Sequence, residues 1–340
     1  MEATVWHDVT TWGVEGKGWT DTISYFDRLP RHAHGVVPDP VWQLSRHAAG
    51  MCVLFESDAP AIHARWTLTE ERLAMPHVAA SAKSGLDLYA RDGEGRWRWV
   101  GATRPATFPE VTETLISGMA PRMRSYLLYL PLYNGVTSLH VGVPEGASFR
   151  GVPPRTEKTI VYYGTSIAQG ASASRPGMAH TAILGRRLDV PVINLGFSGN
   201  GRMDLELAHL LGELDAAVYV IDCLPNMRAD MVKERAAQFL RILRSARPAT
   251  PIVLVEDRTH TQSHWLPEWQ ERHRTSRAAL RAAYDALCAE GQRDIVYVEG
   301  EDLIGDDGEG TVDGSHPNDL GFVRIADALE PVLRKVLGIG

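Results

Sequence analysis

A chain of 340 residues exceeds one ordinary compact domain and suits two. Its hydrophobic share of 44% beside 23% charged residues is globular composition, which excludes general disorder, and a formal charge of −7 leaves no basic footprint for nucleic acid. Cys52, Cys223 and Cys288 stand singly, without a Cys-x-x-Cys pair, which argues against a disulfide framework and a cysteine-rich zinc site.

The N-terminal stretch Met1 to His7 lacks a basic segment followed by an apolar one, and no run reaches the roughly 18 apolar residues of a membrane span. The expectation is a cytoplasmic chain with no membrane contact, its oligomeric state open. From about residue 41 to 143 the apolar runs are short and β-rich. They include Val41-Trp42-Gln43-Leu44, Met51-Cys52-Val53-Leu54-Phe55, Ile62-His63-Ala64-Arg65-Trp66, Leu86-Asp87-Leu88-Tyr89, Trp97-Arg98-Trp99-Val100, Tyr126-Leu127-Leu128-Tyr129-Leu130 and Ser138-Leu139-His140-Val141. Turn residues such as Asp92-Gly93-Glu94-Gly95 separate them. This spacing predicts an all-β sandwich over 1–150, with its tryptophans in the core rather than serving as sugar platforms. Pro153-Pro154 then forms a stiff connector.

Over 155–340 apolar strands alternate with helical stretches. The strands are Thr159-Ile160-Val161-Tyr162-Tyr163, Pro191-Val192-Ile193-Asn194-Leu195, Val218-Tyr219-Val220-Ile221, Pro251-Ile252-Val253-Leu254-Val255 and Ile295-Val296-Tyr297-Val298. Helices are expected near 178–188, 205–214, 229–246, 269–288 and 318–336. Continuous apolar strands covered by crossover helices predict a parallel sheet buried on both faces.

In such a sheet ligands bind beyond the carboxyl ends of the strands. Gly164-Thr165-Ser166 follows the first strand, Gly196-Phe197-Ser198-Gly199 the second and Asp222-Cys223-Leu224-Pro225-Asn226 the third. Asp313-Gly314-Ser315-His316-Pro317 precedes the last helix. A serine hydroxyl becomes a nucleophile when an imidazole takes its proton, and a carboxylate on the other ring nitrogen fixes the tautomer. Ser166, His316 and Asp313 supply this set. The backbone N–H groups of Ser166 and Gly199 and the amide of Asn226 are the candidate oxyanion donors.

These segments resemble the blocks of the SGNH (GDSL-type) hydrolase superfamily. Gly164-Thr165-Ser166-Ile167 resembles its nucleophile block and Asn194-Leu195-Gly196-Phe197-Ser198-Gly199 its glycine block. Pro225-Asn226 corresponds to the asparagine block and Asp313-Gly314-Ser315-His316 to its Asp-x-x-His block. Thr165 replaces the usual aspartate, and Leu224-Pro225-Asn226-Met227 replaces Gly-x-Asn-Asp. Gly85-Leu86-Asp87-Leu88-Tyr89 resembles the Gly-x-Asp-Leu-Tyr signature of a β-sandwich that precedes one branch of the family. The resemblance implies a flavodoxin-like three-layer α/β/α hydrolase domain after a jelly-roll-like all-β sandwich. It implies Ser166 as nucleophile, His316 as base, Asp313 as its partner and Gly199 and Asn226 as oxyanion donors. The implied activity is a serine esterase acting on short acyl esters, acetyl above all, of small molecules or carbohydrates, without a cofactor or a metal.

Competing readings accompany each residue. Ser166 alone would suit a helix N-cap, Asp313 and His316 could cap the last helix, and Ser198 is a rival serine. Asn226 could merely brace a turn beside Pro225, and Asp222 reads as a structural carboxylate. His260 and His264 have the i, i+4 spacing of metal ligands but lack an evident third, so a loop or a substrate rim with Trp265 suits them better. At the level of activity the alternatives are an acyltransferase using the same triad and a non-catalytic carbohydrate-binding protein.

Overall fold

A computed structural model describes residues 3–340; Met1 and Glu2, the first two positions of the N-terminal stretch, lie outside the described residues. The chain forms two compact units that are not consecutive in sequence. One holds the chain up to Pro30, Ser45–Thr156 and Ala173–Gly177; the other holds Arg31–Leu44, Glu157–Ser172 and Met178–Gly340.

The first unit is built from β1 (Thr4–Asp8), β2 (Cys52–Ser57), β3 (Ile62–Leu68), β4 (Asp87–Arg91), β5 (Trp97–Ala102), β6 (Glu110–Ile116), β7 (Arg124–Tyr129), β8 (Val136–Pro144) and β9 (Phe149–Val152). They form two antiparallel sheets, β1-β8-β3-β6 and β5-β4-β7-β2-β9. Alternation explains the arrangement. Ile62, Ala64, Trp66 and Leu68 of β3 are buried while the residues between them are half-exposed, and Val53 and Phe55 of β2 and Leu88 of β4 enter the same core. Trp66 is fully buried with its indole donating to the Ser84 carbonyl at 3.0 Å, whereas Trp99 is half-exposed.

Two short helices interrupt the strands, α1 (Asp39–Leu44) and α2 (Ala80–Lys83). The first corrects the strand expected at Val41-Trp42-Gln43-Leu44. Pro40 in the first turn is preset for a helix, and the Trp42 N–H closes that turn on the Pro38 carbonyl.

Within the first unit the Gly-x-Asp-Leu-Tyr segment holds the residues around 175. Asp87, fully buried, accepts from the Trp99 indole at 2.9 Å, from Arg175 at 2.7 Å and from the Gly177 N–H at 2.8 Å. Arg175 also donates to the Tyr89 hydroxyl, while Leu88 between them turns into the core.

The second unit contains β10 (Ile160–Gly164), β11 (Val192–Gly196), β12 (Val218–Asp222), β13 (Ile252–Val255) and β14 (Ile295–Val298), all parallel, in the order β11-β10-β12-β13-β14. Counted within the unit this is the flavodoxin order. Its helices are α3 (Ser166–Gln169), α4 (His180–Leu188), α5 (Leu205–Glu213), α6 (Ala229–Ala246), α7 (Pro267–Ala289) and α8 (Asp319–Leu337). Helix α4 packs with α8, and α6 packs with both α5 and α7, which forms the outer layers of the three-layer fold. The α/β unit preceded by an all-β sandwich is the architecture expected. Strand register gathers the candidate loops: Gly164, Gly196 and Asp222 end their strands at one level, so the segments after them leave the same edge of the sheet.

Candidate active site

The turn after β10 is tight. Ser166 is the first residue of α3, and Thr165 before it is the cap, its hydroxyl accepting the Ile167 N–H at 3.3 Å. The cap role that Ser166 might have had is therefore filled by its neighbour. Backbones approach closely here. A Cβ on Gly196 would lie 2.1 Å from the Gln169 nitrogen, and one on Gly201 would lie 2.2 Å from the Gly164 carbonyl oxygen. The loop after β11 thus packs directly on the Ser166 turn.

Asn194 fastens it. Its amide donates to the Ala168 carbonyl at 2.7 Å and the Thr181 hydroxyl at 3.0 Å, and its oxygen accepts the Gly196 N–H at 2.8 Å. A polar side chain inside an apolar, buried strand needs partners, and that was the available signal for this residue.

Ser166 Oγ lies 2.9 Å from His316 Nε2, and His316 Nδ1 lies 2.7 Å from Asp313 Oδ2. The other oxygen of Asp313 accepts the N–H groups of Ser315 at 3.0 Å and His316 at 2.8 Å. This network assigns the Nδ1 proton to the Asp313 side and leaves the Nε2 lone pair facing the serine. Burial would raise the Asp313 carboxyl, but hydrogen bonds from the His316 backbone, its imidazole and the Ser315 backbone prevail and hold it at about 2. The cap of α8 is Asn318, which accepts the Gly321 N–H, so neither Asp313 nor His316 serves as the cap.

The three candidate oxyanion donors come from these loops. Gly199 has φ +69°, and its N–H has no hydrogen-bond partner among the described residues. The Asn226 side chain turns its oxygen to the N–H groups of Asn200 at 3.1 Å and Gly201 at 3.2 Å. Those contacts tie the turn Leu224–Asn226 to the loop that packs on the Ser166 turn. Ser198 directs its N–H to Gln169 Oε1 at 3.1 Å and makes no hydrogen bond to the imidazole.

Asp222 is buried and satisfied, paired with Arg258 through both oxygens and accepting from the Tyr162 hydroxyl at 2.7 Å. It braces the sheet edge from below. Among the described residues no cluster suited to a metal includes His260 and His264.

His260 instead lies against the Asp313–His316 turn, a placement that sequence reasoning missed. Its ring stacks on Trp269 at 4.0 Å, and a Cβ on Gly314 would fall 2.4 Å from its Cε1. The next residue, Thr261, donates its N–H to the Gly314 carbonyl at 2.9 Å. Burial, and then His273, push the His260 imidazole below its ordinary value, against the opposing pull of Asp313. Trp265 is 78% exposed, with its ring edge-on to His264.

Comparison with known proteins places this chain in a family. The model of the GDSL-like lipase/acylhydrolase family matches residues 157–334. The chain belongs to that family. A second model, for the GxDLY N-terminus of SGNH-hydrolase-type esterases, matches residues 4–149 of this family member. A crystal structure of a Bacteroides ovatus ATCC 8483 protein classed as a GDSL-like lipase is 33% identical, with 99% of each chain covered and a TM-score of 0.95.

Two further solved structures share the fold. A salicylyl-acyltransferase from a tetracycline biosynthetic pathway is 17% identical over 100% of this chain and 99% of its own, with a TM-score of 0.75. A family two carbohydrate esterase from Clostridium thermocellum, in complex with cellohexaose, is 13% identical over 85% of this chain and 93% of its own, with a TM-score of 0.60. No curated protein matches. Among the described residues of this acylhydrolase-family chain no helix is long and apolar enough to cross a membrane.

Proposed function

We propose that this chain is a serine esterase that cleaves short acyl esters, acetyl esters among them, through an acyl-enzyme on Ser166. The observation that carries the reading is the unbroken row from Ser166 Oγ to His316 Nε2 at 2.9 Å and from His316 Nδ1 to Asp313 at 2.7 Å. His316 takes the hydroxyl proton as Oγ attacks the ester carbonyl, and Asp313 steadies the imidazolium. The N–H groups of Ser166 and Gly199 and the Asn226 amide receive the oxyanion. The imidazolium then gives its proton to the departing alkoxide. Water, deprotonated by the same ring, releases the acid.

The substituent that enters the pocket beside Ser166 is proposed to be short, because that pocket is small, about 30 Å³. The alcohol under this proposal is that of a small molecule or a carbohydrate, and an acyltransferase would use the same steps with an alcohol in place of water. Ser166→Ala should abolish release of p-nitrophenol from p-nitrophenyl acetate while leaving the circular dichroism spectrum unchanged. A fluorophosphonate should label the wild type at Ser166 and not the variant; undiminished hydrolysis by Ser166→Ala would refute the reading. Product analysis with and without an added alcohol separates transfer from hydrolysis.

A further inference from the structure

The small pocket beside the nucleophile is walled by Ile167, Pro225 and Ser315, the chain neighbours of Ser166, Asn226 and His316. Whatever enters it is therefore attached close to the reacting carbonyl. Two arginines, Arg258 and Arg272, also line it, and their circumstances differ.

Arg258 is 4% exposed and forms a two-point pair with Asp222, so its charge is balanced within the protein. Arg272 has no such partner. It makes no ion pair among the described residues, and its interactions are one hydrogen bond to the Pro225 carbonyl at 2.6 Å and a stack over Trp269 at 4.7 Å. Its Nε, like that of Arg258, is buried without a hydrogen-bond acceptor, so the difference between the two lies in the missing carboxylate partner. Asp257 lines the same pocket, and its carboxylate is occupied by His273 at 2.5 Å and by Arg277 at 3.0 Å.

Arg272 as a whole is half-buried, and what burial makes costly is its Nε–H, held from water without an acceptor. Its planar fork matches a carboxylate in two parallel hydrogen bonds. The Trp269 face and the Pro225 carbonyl already fix its plane, so little rotamer entropy remains to be lost on binding.

We propose that Arg272 recognises a carboxylate carried by the ester substrate, so that the preferred substrates are acidic esters rather than neutral ones. This rests on the esterase reading, because the pocket gains its meaning from its place beside Ser166. The carboxylate can sit on the acyl side or on the alcohol side; the chemistry at Arg272 is the same.

The experiment has one arm for each side. 4-Nitrophenyl hydrogen succinate is compared with its neutral methyl ester, and 4-acetoxybenzoate with its methyl ester. In at least one arm the wild type should favour the acid in kcat/KM by tenfold or more. Arg272→Gln should bring that ratio close to one, and Arg272→Lys should keep part of it, whatever either variant does to the neutral ester. A wild-type ratio near or below one in both arms, or a ratio untouched by Arg272→Gln, overturns the proposal.

Failure of the esterase reading looks different, since none of the four esters would then turn over through Ser166. For that case, and should Arg272→Gln not fold, succinate and benzoate are tested on the wild type against succinamide and benzamide. The anions alone should raise Tm and, where Ser166 is labelled by a fluorophosphonate, slow that labelling; equal effects of anion and amide on Tm would also overturn the proposal.

Discussion

Asp313 is the residue whose chemistry is most fully determined by its neighbours. Three hydrogen bonds converge on a carboxylate that is still 42% exposed. Asp313→Asn should keep the turn but reverse the tautomer at His316, lowering kcat for p-nitrophenyl acetate by about 10³- to 10⁴-fold. The depressed carboxyl also predicts a pH dependence of stability. A folded value of about 2, against about 3.9 in the unfolded chain, stabilises the fold above pH ~4, and that share is lost as pH falls through 2. The urea midpoints of wild type and Asp313→Asn should therefore differ at pH 6 and converge toward pH 2. Exposure keeps the difference small. Asn226→Ala should cost about 10²- to 10³-fold in kcat with a smaller change in KM. The residues of the row were legible because each reactive type follows a strand end or precedes a helix. His260 was not, because what it does is contact the distant backbone at Gly314, and contact leaves no motif; Asn194 left only the weak signal of a polar residue in an apolar strand.

Among the elements, the four-residue helix α3 depends on backbones that touch. Gly196→Ala would force a methyl carbon to 2.1 Å from the Gln169 nitrogen, a clash with backbone that no rotamer relieves. The expected loss is about 3 kcal/mol or more, at the upper end of overpacking costs, read as a lower Tm together with loss of fluorophosphonate labelling. Gly199→Ala meets no atom within 4 Å, and its left-handed backbone at φ +69° should cost only about 1 kcal/mol. Whole strands differ in legibility for a related reason, the extent of their burial. The strands of the second unit were legible because β10 and β12 are buried along their whole length and read as unbroken apolar runs. In the first unit β6 buries only Val111 and Leu115 among exposed and half-exposed residues, so it passes for a loop. Val41-Trp42-Gln43-Leu44 misled in the opposite direction, since four residues are too few to distinguish a period of 2 from one of 3.6.

For the whole molecule, the exchange of segments between the two compact units matters more than any single boundary. A shift in composition marks a boundary at one point of the chain, whereas the assignment of Arg31–Leu44 and Ala173–Gly177 follows from contacts and has no counterpart in composition. The second of these segments supplies the first unit with Arg175, a cation paired with the buried Asp87 at 2.7 Å. Burial raises the Asp87 carboxyl, and Arg175, the Gly177 N–H and the Trp99 indole each counter the rise. Removing the cation leaves an unpaired charge in the interior, so Arg175→Met should destabilise the fold by about 3–5 kcal/mol in neutral solution. The sign of its pH dependence comes from the direction of the shift. A carboxyl raised in the folded state favours folding below its unfolded value, and that contribution is lost as pH rises through the folded value. Without Arg175 the rise becomes larger, and protonation of Asp87 offers the variant an escape on acidification. Guanidinium denaturation at pH 5 and pH 8 should accordingly show a smaller gap between wild type and Arg175→Met at the lower pH. A gap that stayed constant across that range would mean that Arg175 holds its segment by packing on Tyr89 and Trp99 rather than by charge.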